Sequence, residues 1–243
     1  VELTVLGTSG SYGAPAGGAC SGYLVRSGGT AIWMDCGNGT LANLQRHCGV
    51  EDLDAVVITH VHPDHCVDLY GLHVLMLYGL QRQGLPVYAP GGTQKLLGSL
   101  VGGDWGGAFA WNDVGDGDRA EVGTTALRFS RTHHPPPTVA VEISGDGKRL
   151  VYTADTGPDW SPEAFGPGAD LLVSEATYQD SSDGYPFHLT ARQAGTRARE
   201  ARARRLMLTH LWPRLDPAIS VEEGEDGFGA PLTLAAPHLV TTI

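Results

Sequence analysis

The chain has 243 residues, with 16 Lys plus Arg against 27 Asp plus Glu, a formal charge of −11. Nonspecific nucleic-acid binding draws on a basic surface, and an acidic excess of this size excludes a global one. No stretch reaches the roughly 18 consecutive apolar residues of a membrane span, and a strand pattern begins at once with no signal peptide ahead of it, so the cytoplasm is the expected compartment.

In chain order, Leu3 to Leu6 reads as a first strand. Gly7, Gly10, Gly13, Gly17 and Gly18 form an irregular loop bordering a cleft, followed by a strand at Gly22-Tyr23-Leu24-Val25. A glycine-rich loop can cradle phosphate, but no G-x-x-x-x-G-K-[ST] is present to bind a triphosphate. Ala31-Ile32-Trp33-Met34 continues the meander into Asp35-Cys36-Gly37, and a helix through Leu41 to Gln45 precedes the apolar run Ala55-Val56-Val57-Ile58.

The next seven residues, Thr59-His60-Val61-His62-Pro63-Asp64-His65, read H-x-H-x-D-H. Imidazole and carboxylate are the ligands that suit zinc and neighbouring divalent metals. In an extended chain His60 and His62 project to one side. Pro63 suits the first turn of a helix, which carries Asp64 and His65 round to the same point.

Beyond it, Val67, Tyr70, Val74 and Leu77 recur at helical spacing. Leu85 to Tyr88 reads as a strand and Thr93 to Leu97 as a helix start. Residues 98–118, rich in Gly, Asp and Trp, read as a flap or a long surface loop, with the cleft expected near Trp105, Trp111, His188 and Trp212. Short apolar runs then end repeatedly in residues that bind metal or move protons: Ala126 to Ser130 before His133-His134, Arg149 to Thr153 before Asp155, Asp170 to Val173 before Glu175, and Leu206 to Leu208 before His210. In layered α/β proteins ligands gather at one rim, beyond the strand ends. These units run from end to end, so residues 1–243 are read as a single domain. Segment 190–205 aligns Ala191, Ala194, Ala198 and Ala201 on one helix face, capped by Thr190. Glu222, Glu223, Glu225 and Asp226 read as an acidic surface turn around Gly224. Cys20, Cys36, Cys48 and Cys66 form no C-x-x-C pair and are expected reduced, with Cys66 a packing thiol.

These segments together resemble the metallo-β-lactamase-fold hydrolases, and within them the ribonuclease Z and phosphodiesterase branch. The likeness spans Leu3 to Gly10, Ser21 to Val25, the H-x-H-x-D-H segment, Tyr152-Thr153-Ala154-Asp155-Thr156-Gly157, Ser174-Glu175-Ala176-Thr177, His188-Leu189-Thr190-Ala191 and Leu208-Thr209-His210. It implies an α/β (α+β) fold, a four-layer αββα sandwich with its metals in a cleft at one edge of the two sheets. Carried over position by position, one metal takes His60, His62 and His134, the second takes Asp64, His65 and His210, and Asp155 bridges the two. His134 is preferred to His133 because strand neighbours face opposite ways and the family's ligand directly precedes a Pro-containing turn, here Pro135-Pro136-Pro137. The implied cofactors are two divalent ions. Zinc leads on ligand chemistry, and manganese or iron accepts the same set.

The resemblance further implies hydrolysis by a metal-bridging hydroxide that Asp64 aims. Two bridged ions usually lie roughly 3.5–4 Å apart and acidify shared water. His188 matches a histidine that the ribonuclease Z branch keeps beside its metals, and Glu175 its acidic partner. His188 is read as protonating the leaving oxygen or contacting the phosphoryl group, with Glu175 holding its tautomer. Relatives that grip transfer RNA carry an arm between the third histidine and the bridging Asp, whereas here only the 20 residues Pro135 to Ala154 intervene. A small-molecule or short phosphodiester is therefore the expected substrate, rather than transfer RNA. Lactone or thioester hydrolysis is the competing reading, because those enzymes keep the bridging Asp, and a metal-stabilised binding module is the non-enzymatic one. No membrane partner is expected, and a homodimer carries over from the relatives.

Overall fold

The apolar runs become strands buried on both faces, in a computed structural model that describes residues 1–15, 18–182 and 184–243; Gly17 of the glycine-rich loop lies outside the described residues. The first sheet contains β1 (Glu2–Gly7), β2 (Gly22–Ser27), β3 (Thr30–Met34), β4 (Ala55–Val57), β5 (Leu85–Pro90) and β6 (Phe109–Val114). The second contains β7 (Arg119–Val122), β8 (Thr125–Arg131), β9 (Val139–Gly145), β10 (Lys148–Tyr152), β11 (Leu171–Glu175), β12 (Leu206–Thr209) and β13 (Thr233–Leu234), and the last strand, β14 (Val240–Thr242), returns to the first. The strand orders are β14-β1-β2-β3-β4-β5-β6 and β13-β12-β11-β10-β9-β8-β7. In each sheet an antiparallel meander passes into parallel strands, β3 to β6 and β10 to β13. Parallel strands covered on both faces read as continuous apolar runs rather than alternating ones, as Ala55–Val57 and Leu171–Val173 do.

Alternation survives as a choice between two apolar layers. Tyr23, Val25, Ile32, Met34, Leu150, Tyr152 and Val173 enter the core between the sheets. Leu24, Trp33 and Val56 face the outer layer of α1 (Thr40–Leu44), α2 (Pro63–Cys66), α3 (Leu69–Val74) and α4 (Thr93–Gly98). Val151, Leu172 and Leu208 face α5 (Ala191–Glu200) and α6 (Pro217–Phe228) on the other side. This is the expected four-layer αββα arrangement. Among the described residues no helix is long and apolar enough to cross a membrane.

α5 starts where the sequence placed it, with Thr190 accepting from the Gln193 amide and Gln193 answering in a capping box. Its Ala191, Ala194 and Ala198 are buried. The acidic segment 222–226 is not a turn but the middle of α6. Glycines of both helices make their crossing possible: a Cβ on Gly195 of α5 would stand 2.2 Å from the Gly224 carbonyl oxygen, and one on Gly227 of α6 2.3 Å from that of Arg192.

Two other expectations change. The helix after the H-x-H-x-D-H segment buries Leu69, Leu72 and Met76, while Val74 is 55% exposed, so the buried face is rotated from the one expected. Residues 98–118 form neither a flap nor a bare loop. They supply β6 and place Trp105, fully buried, in the outer layer, stacked on Tyr70 at 5.3 Å and edge-on to His73. Glycines at positive φ (Gly102, Gly103, Gly106, Gly107) turn the chain around it. Trp105 and the half-buried Trp111 therefore pack on the first sheet and do not line the cleft. Trp105→Ala is expected to cost about 3–5 kcal/mol through lost burial and a cavity. Thermal unfolding should then fall by roughly 6–20 °C, and a shift under about 2 °C would contradict this packing role.

Candidate metal centre

The strands deliver the centre because they end together. β4 runs through Ile58 to Thr59 and His60, and His62 caps α2, whose first residue is Pro63. This turn brings His60 Nε2 to 3.1 Å from His62 Nδ1. His134 Nε2, beyond β8, stands 3.2 Å from the same His62 nitrogen. On the other side His65 Nε2 lies 3.3 Å from His210 Nε2, which is 3.2 Å from Asp64 Oδ2. Asp155 sits between the two groups. Its Oδ2 is 3.6 Å from His60 Nε2 and 3.8 Å from His134 Nε2, and its Oδ1 is 3.3 Å from His65 Nε2 and 3.5 Å from His210 Nε2. All seven side chains expected at the metals thus converge. His133 turns away, with Nδ1 3.4 Å from Asp159 and its ring on Phe187.

The donor set fits small divalent cations. Two nitrogens each about 2.0–2.1 Å from one tetrahedral ion stand about 3.3 Å apart, which is the spacing found here. Asp155 Oδ1 is buried with no hydrogen-bond partner, a costly state for a carboxylate oxygen that a cation would relieve. Burial holds the His60 imidazole well below its ordinary pKa, so it is neutral and offers a lone pair. Burial opposes ionisation of Asp155, yet His210 and His65 outweigh it and hold the carboxyl well below its usual range. Burial pushes Cys66 up to about 12, and its Sγ lies 3.5 Å from the Val61 carbonyl, in keeping with a packing thiol.

A further shell fixes the tautomers. His65 Nδ1 donates to Asp35 Oδ2 at 2.8 Å, His134 Nδ1 donates to the Phe187 carbonyl at 3.0 Å, and His210 Nδ1 meets Thr177 Oγ1 at 2.9 Å. Each bond leaves the other ring nitrogen free to face the centre. Asp35, fully buried, also accepts from the Thr59 amide, the Thr59 hydroxyl and the Tyr152 hydroxyl. The sequence reading assigned Asp35 no role, although Ala31 to Met34 followed by Asp35 shows the same apolar-run-then-acid pattern as the other ligand strands. Three strand-end residues, Asp35, Ala154 and His210, adopt positive φ of 56°, 52° and 57°. Such conformations are costly outside glycine and gather at functional sites. Asp35→Asn should weaken zinc binding by about 10–100-fold in a competition titration, and an unchanged affinity would remove Asp35 from this shell.

At the rim His188 Nδ1 is 2.9 Å from Glu175 Oε1. Burial works against the imidazolium, but the Glu175 carboxylate outweighs it and pushes His188 up to about 9. Glu175 does more than orient His188. It also accepts from the amides of Thr156, Thr177 and Leu189 and from the Thr177 hydroxyl, which ties the loop after β10 and both ends of the β11–α5 connection to the end of β11.

A sequence profile of the beta-lactamase superfamily domain matches residues 30–211. The chain belongs to the beta-lactamase superfamily. Within it, the chain is 32% identical over 216 residues to a probable metallo-hydrolase, YhfI of Bacillus subtilis, covering 87% of each. It is 29% identical over 289 residues to a ribonuclease Z of Natronomonas pharaonis, covering 94% of this chain and 93% of that one. The crystal structure of the metallo-beta-lactamase fold protein YhfI matches with a TM-score of 0.89 at 29% identity, over 99% of this chain and 98% of that one. This superfamily member is a metallo-hydrolase of the ribonuclease Z-like branch.

Proposed function

We propose that this metallo-hydrolase is a dinuclear phosphodiesterase acting on a small or short phosphodiester, with residues 1–243 as one catalytic unit. The observation that carries the reading is the Asp155 carboxylate, with one oxygen toward His60 and His134 and the other toward His65 and His210. His60, His62, His134 and Asp155 would hold one ion, and Asp64, His65, His210 and Asp155 the second. Zinc is the first choice, and manganese or iron suits the same donors. Ions bound there supply Lewis acidity toward a phosphoryl oxygen and toward water.

The chain's own residues do the rest. Asp64 accepts a hydrogen bond from water and aims it at phosphorus. His188, with Nδ1 committed to Glu175, donates from Nε2 to the oxygen that departs as the phosphorus–oxygen ester bond breaks. An alkoxide leaves poorly, so a positioned acid is useful here, and general acids contribute about 10²–10⁴-fold. The Glu175 carboxylate 2.9 Å from His188 supports this role, because it favours the protonated ring.

Substrate size follows from what lies beside the centre. Residues 135–154 are taken up by a turn and the β9–β10 hairpin, which leaves no arm to embrace transfer RNA, and the charge of −11 disfavours a long polyanion. We further propose that the enzyme is cytoplasmic and homodimeric. A panel of bis-p-nitrophenyl phosphate, a ribose cyclic phosphate, a lactone and a thioester tests the reaction class. Turnover of the phosphodiesters at two metal equivalents per chain is the expected result. Activity on the carbon esters alone would transfer the site to lactone or thioester hydrolysis, and inactivity of fully loaded protein would leave a binding module.

A further inference from the structure

Beside the centre an unbroken arc of rings runs through His188. Tyr12 meets Trp212 edge-to-face at 5.7 Å, Trp212 stacks near Tyr178 at 6.3 Å, and Tyr178 meets His188 at 5.9 Å. His188 in turn neighbours Tyr185 at 6.4 Å, and Tyr185 meets Phe187 at 5.0 Å. Among the described residues no Lys or Arg is stacked on these rings. An arc of this kind recognises the face of a planar ring rather than a string of phosphates.

The arc has a rigid base and two free members. The Trp212 amide donates to Thr177 O, and Tyr178 is held by backbone bonds to Leu189 and Ala191. Tyr178 is also covered by Gly184, where a Cβ would stand 2.8 Å from its ring. Tyr12 and Tyr185, by contrast, are 41% and 51% exposed. Neither exposure is that of an untethered loop tip. Ser11 adopts φ 63° and its amide donates to Asp64 Oδ2 at 2.8 Å, while Ser9 Oγ donates to Tyr12 O at 2.6 Å. A strained residue bound to a side chain of the centre thus sets Tyr12 against Trp212. Tyr185, three residues before His188, accepts the His188 amide on its carbonyl at 3.1 Å. Both exposed rings are anchored to the groups that act on phosphorus.

We infer that Tyr12 and Tyr185 are specificity-determining residues that hold a planar aromatic group, such as a nucleobase, attached next to the scissile phosphate. The inference rests on the phosphodiesterase reading and narrows its substrates to short, ring-bearing phosphodiesters. Stacking on one aromatic side chain is sequence-tolerant and changes binding by about five- to a hundredfold.

The test compares two substrates with the same scissile ring, a nucleoside 2′,3′-cyclic phosphate and the 2,3-cyclic phosphate of 1-O-methylribose, using metal-loaded full chain. Wild type should prefer the base-bearing substrate in kcat/KM by at least about tenfold. Tyr12→Leu and Tyr185→Leu should each lower that ratio by about fivefold or more, chiefly through KM, whereas Tyr78→Leu, a 79% exposed tyrosine outside the arc, should leave it unchanged. A wild-type ratio near one overturns the inference while phosphodiesterase activity stands. A ratio that a substitution does not move, or equal losses on both substrates, removes that tyrosine's part. If loaded wild type turns over neither cyclic phosphate nor bis-p-nitrophenyl phosphate, the phosphodiesterase reading falls and the ring clamp with it; turnover of bis-p-nitrophenyl phosphate alone overturns the ring clamp only.

Discussion

Asp155→Ala is expected to bind fewer than two metal equivalents and to lose on the order of 10³-fold or more in kcat/KM, because this one carboxylate faces both histidine groups. Charge stabilisation by paired ions is worth several kcal/mol, and each 1.36 kcal/mol is tenfold in rate. Metal content by mass spectrometry and turnover should fall together. Stability offers a second readout. A ligand at about 100 times its Kd raises folding free energy by about 2.7 kcal/mol, so zinc should lift the wild-type melting temperature and lift the variant far less. A variant that still binds two equivalents and keeps its activity would mean that Asp155 does not join the two groups.

His188→Ala should keep both metals and lose about 10²–10⁴-fold in kcat on a substrate with an alkoxide leaving group. The decisive comparison changes the leaving group. p-Nitrophenolate departs without a proton, so on bis-p-nitrophenyl phosphate the same variant should lose much less. A uniform loss on both substrates would assign His188 to phosphoryl contact instead of proton donation. Unchanged turnover would remove it from the reaction. Glu175 is a poorer probe. It is fully buried and accepts three backbone amides besides holding His188, so its removal leaves several buried donors unpaired at a cost of about 1–3 kcal/mol each. Glu175→Gln, which keeps the shape, is the informative change, and it should lower kcat with metal content intact.

Local patterns were legible where one segment carries the whole constraint. H-x-H-x-D-H needs only an extended pair followed by a helix start, so its four side chains could be placed from spacing. α5 was legible for the same reason, since its cap, alanine face and arginines lie within sixteen residues. Segment 98–118 was not. Its glycines and aspartates make the turns, and they masked a fully buried tryptophan whose partners Tyr70 and His73 lie some thirty residues away. The acidic segment 222–226 was misread because Gly224 looks like a turn residue until α5 is packed against it.

The sequence by itself determined the superfamily, the order of strands that end in chemically active residues and the identity of the gathered histidines and acids, because each lies at the end of a short apolar run. Only the tertiary structure decided that Asp35 holds His65, that His133 faces away and that Tyr12 and Tyr185 belong to one arc of rings running through His188. Those facts depend on contacts between residues as many as 200 positions apart. No local period encodes such distances, and it takes the packing of two sheets to bring them within a few ångströms.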